Sequence, residues 1–270
     1  MSENRPGRSY DPGTEGKKAD ARAFVAPCRA LAFSAPFRWL KLGWKDYAAV
    51  PRISWGYGVF VFLVSALLAW LGWTVGGWVL LFAMLTGFVF VAPLLAFALY
   101  SVSRQLCQGT QPSLRQTLRA VRMPFANAMV FALALLIIFL VWARAGSMVH
   151  IFFPFESNPS WIQIARFLAI GCAVGAIFAG FTFAASAFSL PMLANREVDV
   201  VTAVVSSINA VLRNKRVMLL WASLIVALTA LGIATALVGL IVVIPWLGYA
   251  TWHGYREAID VSEWPVLPVE

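Results

Sequence analysis

"ISWGYGVFVFLVSALLAWLGWTVGGWVLLFAMLTGFVFVAPLLAFALY", residues 53–100, contains no Asp, Glu, Lys or Arg. A hydrocarbon core about 30 Å thick is crossed by roughly 20 apolar helical residues. A charge-free stretch of this length is too long for one crossing and suits two, with Gly76 and Gly77 as the turn between them. Residues 123–143, 167–195 and 217–255 are equally free of charge, and the last is again long enough for two crossings. The runs predict an all-α polytopic membrane protein with six helices, at about 54–74, 76–100, 126–148, 163–191, 217–234 and 236–254. Composition agrees: 12% of residues are charged, against about 25% in a soluble domain.

Orientation follows from Lys and Arg in the short loops, which stay on the cytoplasmic side. Ten lie up to Arg52, four in loop 101–125 and four in loop 192–216, whereas the other face has only Arg144 and Arg166. Both termini are therefore expected in the cytoplasm. Residues 1–35 read as a disordered cytoplasmic tail, 36–260 as the membrane domain and 261–270 as a C-terminal tail. The net charge of +9 fits a bilayer with an anionic inner leaflet. The basic residues flank apolar spans and form no separate basic domain, so nucleic acid is not the expected partner. Trp39, Trp44, Trp55 and Trp252 at inner ends, and Trp70, Trp73, Trp78, Trp142 and Trp161 at outer ends, read as an aromatic belt.

The even-numbered helices share a signature near their cytoplasmic ends: "PLLAF" from Pro93, "PMLAN" from Pro191 and "PWLGY" from Pro245. The pattern is Pro-x-Leu-small, with Leu95, Leu193 and Leu247 in the third position. All three hairpins enter from and return to one side, so the repeat is parallel. An amphipathic segment precedes each hairpin and is expected to lie flat in the interface. "FRWLKLGWKDYAAVPR" precedes the first. Leu114, Leu118 and Val121 beside Arg115, Arg119 and Arg122 precede the second. Val201, Val204, Val205, Ile208 and Leu212, ending in Arg213, Lys215 and Arg216, precede the third. These arginines and Lys215 form a basic stripe toward lipid phosphates. Gly171, Gly175 and Gly180 on the fourth helix are spaced for close helix packing, within the bundle or between two copies.

Reactive chemistry is sparse. The helix centres carry no ionisable residue, which argues against ion-coupled transport. No zinc spacing, phosphate loop or Ser–His–Asp pattern is legible, and Cys28, Cys107 and Cys172 form no disulfide framework. Glu197 and Asp199 beside Arg196 read as a solvated charge cluster. His150 and His253, at opposite membrane faces, cannot ligate one haem. His253 stands eight residues after Pro245, where the other repeats have Ser101 and Asp199. It reads as a polar membrane-exit position, bonding a helix-end carbonyl or meeting phosphates.

At "KLGWKDYAAVPRISWGYG", residues 41–58, at "APLLAFALYSVSRQLCQG", residues 92–109, and at "PWLGYATWHGYRE" the chain resembles a bacterial integral membrane family known as domain of unknown function 2189. The resemblance runs over roughly residues 35–260. It implies the inner membrane of a bacterium and supplies no catalytic residues. Some members carry a cytochrome c oxidase subunit label, which the two separated histidines do not fit. No catalytic, cofactor or metal site is expected. The sequence reads as a non-enzymatic scaffold, assembly or modulating factor for a membrane complex or lipid environment, touching other membrane proteins or a second copy. The alternative is an uncoupled permease or channel for a small solute.

Overall fold

The computed structural model describes residues 24–113, 117, 125–152 and 160–267. Among these the chain is all α. We number the helices α1 (Ala35–Ala49), α2 (Pro51–Leu95), α3 (Phe97–Cys107), α4 (Phe125–Phe152), α5 (Trp161–Ser186), α6 (Ser189–Asn195), α7 (Val200–Arg213), α8 (Lys215–Ala234) and α9 (Leu240–Ala258). Four stretches are long and apolar enough to cross a membrane: Pro51–Val75, Ala126–Ala145, Trp161–Asn195 and Lys215–Ala234. Their most apolar windows are only 6–22% buried within the chain. Side chains such as Leu63, Leu133, Ile177 and Val226 point outward, and only a lipid-like surrounding makes that exposure favourable. This is a multi-pass membrane protein.

A packed base joins the spans at one end. Its centre holds Trp39, Phe188, Leu190, Met192, Trp221 and Tyr255, each fully buried. Trp39 meets the rings of Trp221 and Phe188 edge-on, at centroid distances of 5.5 and 6.4 Å. The organising element is α9. Helix α1 runs antiparallel to its C-terminal half: a Cβ at Gly43 would stand 2.6 Å from the Ala250 nitrogen, and one at Gly254 would stand 3.0 Å from the Trp39 ring. Helix α2 takes over along the N-terminal half, where a Cβ at Gly58 would stand 1.9 Å from the Ile241 carbonyl oxygen. Val50 separates α1 from α2, because Pro51 disfavours helical geometry in the residue before it.

Several expectations need correction. The segment before the first span does not turn its aromatic stripe to lipid. Its Trp39, Gly43, Asp46 and Tyr47 face is buried, because α9 offers a partner along the whole length of α1. Trp39 and Trp252 belong to the core and not to an aromatic belt, whereas Trp44, Trp55, Trp70, Trp73 and Trp161 are exposed. Residues flanking the helices also pack on the base. Cys28 bridges to Ile259 and Arg196 to Val266, and Ser206 accepts a hydrogen bond from the Ala26 amide at 2.9 Å.

At Gly76 and Gly77 no break interrupts α2, which is helical from Pro51 to Leu95. It cannot be straight. A straight helix of 45 residues is about 67 Å long at roughly 1.5 Å per residue. Yet Leu99, just past its end, packs with Tyr47 and Tyr249, close to its start. The last turn lies at 235–239, where Ala236 and Leu237 take left-handed φ values of 51° and 69°. Thr235 Oγ1 accepts from the Gly239 amide at 2.8 Å and donates to the Gly232 carbonyl at 2.8 Å, holding this turn.

The shared prolines sit in different local geometries. Pro93 and Leu95 lie in the last turn of α2, and the helix breaks after them at Ala96. Pro191 and Leu193 are buried inside α6, after a break at residues 187–188. Pro245 and Leu247 are buried inside an unbroken α9. Helix α7 buries its small and hydroxylated face, Thr202, Ala203, Ser206, Ser207 and Ala210, and exposes Val201 and Leu212. Arg213, Lys215 and Arg216 are exposed beside it. Leu114, Leu118, Val121, Arg115, Arg119 and Arg122 lie outside the described residues. Gly171 and Gly180 face open space, and a Cβ on Gly175 would meet only the Trp142 indole nitrogen, at 3.9 Å.

Candidate functional site: a polar seam under α9

His253 lies on the face of α9 turned toward α1. Its Nε2 is 2.9 Å from Asp46 Oδ2, and both side chains are 13% exposed. The same carboxylate oxygen accepts from Ser103 Oγ at 2.6 Å. An ionised carboxylate only accepts, so the imidazole presents its Nε2 proton. One oxygen thus ties α1, α3 and α9 together. A helical turn back along α9, the Tyr249 hydroxyl meets Ser54 Oγ at 3.1 Å.

Ser, His and Asp are the residue types of a hydrolytic triad, but their order is wrong. A triad needs the imidazole between hydroxyl and carboxylate, so that it can take the hydroxyl proton. Here the carboxylate stands between them, and the arrangement is a clamp. Hydrogen bonds to a charged group contribute about 1.5–3 kcal/mol each, and more is lost when one buried partner is removed. The expected bond from His253 to a helix-end carbonyl or phosphate is therefore replaced by a carboxylate 207 positions away.

Arg104 adjoins Ser103 and opens a second cluster. It is 5% exposed. One guanidinium nitrogen donates to the Ala194 carbonyl at 3.2 Å and another to that of Leu267. Arg196 donates to the Trp264 carbonyl at 2.7 Å, and Asn195 donates to the Tyr255 hydroxyl at 2.9 Å. Burial, and then the neighbouring Arg196, hold the Arg104 guanidinium below its usual value. Burial pushes the Tyr255 hydroxyl up to about 12, against the pull of Asn195 and the two arginines. Residues 264–267 cover this cluster as a strap. The Glu197 amide donates to Pro265 at 3.0 Å and the Leu267 amide to Asn195 at 3.1 Å.

Arg196, Glu197 and Asp199 are thus not one solvated cluster. Arg196 is half-buried under the strap, Glu197 is exposed, and Asp199 caps α7 by accepting from the Thr202 amide at 2.9 Å. Partial burial raises the Asp199 carboxyl, but the bonds from Thr202 and neighbouring amides outweigh it and hold it below the usual carboxylate range. At the C-terminal end of α9, Glu257 pairs with Arg38 and accepts from the Trp39 indole at 2.9 Å.

The sequence reading missed Asp46, Ser103, Asn195 and Tyr255. Asp46 had a usable signal: it falls on one helical stripe with Trp39 and Gly43, the face that α1 buries. Arg144 and Arg166 are exposed at helix ends. The side chain of His150, near the end of α4, lies outside the described residues. Among the described residues no cluster of three or more His, Cys, Asp or Glu could hold a metal ion.

The fold and this seam define an all-α multi-pass membrane protein with a packed polar base. Residues 80–195 match the family described as "Predicted integral membrane protein (DUF2189)". The match is narrower than the resemblance expected over 35–260. It takes in Ser103, Arg104 and Asn195 but neither Asp46 nor His253. No curated protein and no solved structure matches the chain.

Proposed function

We propose that the protein is a non-enzymatic scaffold or modulating factor of a bacterial inner membrane, with the base on the cytoplasmic side. The observation that carries this reading is the contrast between base and spans. The base is packed around fully buried aromatic side chains, whereas the spanning windows are 6–22% buried. Helices that make so little contact with their own chain present most of their surface to lipid or to other membrane proteins. The Ser–Asp–His order supports a structural role for this group.

Three hairpins and six crossings remain the architecture we favour. The return of Leu99 to the base supports a bend within α2, and the Gly76–Gly77 pair is where a helix bends most readily. Exposed Arg213, Lys215 and Arg216 at the base end of α8 support contact with an anionic inner leaflet. Affinity purification from native membranes in mild detergent, with identification of co-purifying proteins, tests the scaffold. A reproducible stoichiometric partner is expected. Robust solute-specific flux in liposomes by the purified protein alone would overturn the reading in favour of a permease or channel.

A further inference from the structure

The two arginines of the seam, Arg104 buried and Arg196 half-buried, are poorly matched to their partners. Arg104 and Arg196 donate to the main-chain carbonyls of Ala194, Leu267 and Trp264. The Nε atom of each is buried with no hydrogen-bond partner. Among the described residues, the ion pairs are Arg29–Asp260, Arg38–Glu257 and His253–Asp46, so neither arginine has a carboxylate. The remaining polar groups at the cluster are the Asn195 amide and the Tyr255 hydroxyl. Two guanidinium groups, each with a buried Nε, thus face neutral acceptors, although hydrogen bonds to an ionised acceptor are about twice as strong.

Two of these three acceptors, the Trp264 and Leu267 carbonyls, belong to the 264–267 strap. The strap is held by four main-chain contacts to the Arg196 neighbourhood and Arg104: Trp264 and Leu267 carbonyls to the arginines, and amide bonds at Glu197 and Leu267. A strap that supplies only carbonyl oxygens is a weak ligand for a doubly cationic pocket. A guanidinium fork fits the oxygens of a phosphate, and a phosphomonoester carries about −1.5 to −2 charge near neutral pH. One such dianion would balance the charge of both arginines.

We propose that Arg104 and Arg196 form a binding site for a phosphate dianion, occluded in this structure by the C-terminal strap, which the ligand displaces. The phosphate can come from a phosphomonoester lipid headgroup or from free phosphate. The test is hydrogen–deuterium exchange on the full chain in nanodiscs. Inorganic phosphate is titrated into phosphatidylcholine discs at constant ionic strength set with chloride, and compared with discs doped with phosphatidic acid.

Exchange at the Glu197 and Leu267 amides is expected to rise about tenfold and saturably, with the rest of α7 and α9 unchanged. A response to inorganic phosphate identifies free phosphate as sufficient, and a response to phosphatidic acid alone identifies the headgroup. R104Q and R196Q should each abolish the response. A chain shortened after Glu263 should bind the active phosphate source about tenfold more tightly, a difference of about 1.4 kcal/mol. If one of these variants does not fold, exchange on the intact chain still decides. No change at Glu197 and Leu267 with either source, or a rise spread over the whole base, overturns the proposal.

Discussion

Replacing Gly58 by alanine tests the seam between α2 and α9 through the sign of its effect. On an isolated helix the change is favourable, because alanine exceeds glycine in helix propensity by about 1 kcal/mol. In the structure the new Cβ would stand 1.9 Å from the Ile241 carbonyl oxygen, whereas ordinary contact begins at 3.4 Å. The atom it meets is main chain, so no rotamer change relieves the clash. The helices must part by about 1.5 Å. That movement loosens the Val61, Leu240 and Ile244 cluster and the Ser54–Tyr249 hydrogen bond. Overpacking costs about 1–3 kcal/mol, and the loosened contacts add to it, so Gly58→Ala is expected to destabilise by about 2 kcal/mol net.

Gly56 is the control. It lies on the same helix, two residues earlier, with nothing within 4 Å of an added Cβ. Gly56→Ala should be neutral or stabilising by up to about 1 kcal/mol. Reversible denaturation in mixed micelles, followed by circular dichroism, compares the two. If Gly58→Ala proves as stable as Gly56→Ala, the close approach of α2 to α9 is refuted.

Three other predictions address the base. Asp46→Ala leaves both Ser103 and His253 without their acceptor, and it should cost about 3 kcal/mol in the same denaturation assay, against about 1 kcal/mol for Ser103→Ala. Asp199→Ala should cost about 1 kcal/mol through loss of the α7 cap, while Asp199→Asn should cost much less. Because the folded Asp199 carboxyl titrates below its unfolded value, its contribution is complete above about pH 4 and is lost as pH falls through the folded value. Thermal melts across that range should show a shallower acid limb in Asp199→Asn than in the native chain. Cys107 is exposed at the base and Cys172 is exposed within a spanning helix. A membrane-impermeant maleimide should therefore label Cys107 in inverted vesicles but not in intact cells, and should leave Cys172 unlabelled in both. Labelling of Cys107 in intact cells would reverse the orientation.

The spanning segments were legible because burial in lipid demands long charge-free runs, which are a local property of sequence. The outward apolar face of α7 was legible for the same reason: Val201 and Leu212 fall on one stripe. The seam was not, because it depends on pairings between distant segments. Asp46 reads as one charge in a basic amphipathic helix until α9 places His253 against it. Trp39 and Trp252 resemble belt residues by position, and only the antiparallel docking of α1 on α9 turns them inward. The strap is hardest of all to foresee, since "SEWPVLPVE" has the composition of a free tail. Its hold on the base comes from main-chain groups, which carry no side-chain signature.

The antiparallel pairing of α1 with α9 also sets an order of events during synthesis. Asp46 and His253 are 207 positions apart, and chains are made at about 5–20 residues per second. For roughly 10–40 seconds the nascent α1 waits, with Trp39 and the Asp46 carboxylate uncovered, until its partner leaves the ribosome. Helices α1 and α9 close the base together, so a ribosome that stalls before α9 yields inserted spans without a finished base. Such a product offers an uncovered aromatic and acidic face at the membrane surface, which is a ready mark for quality-control proteases.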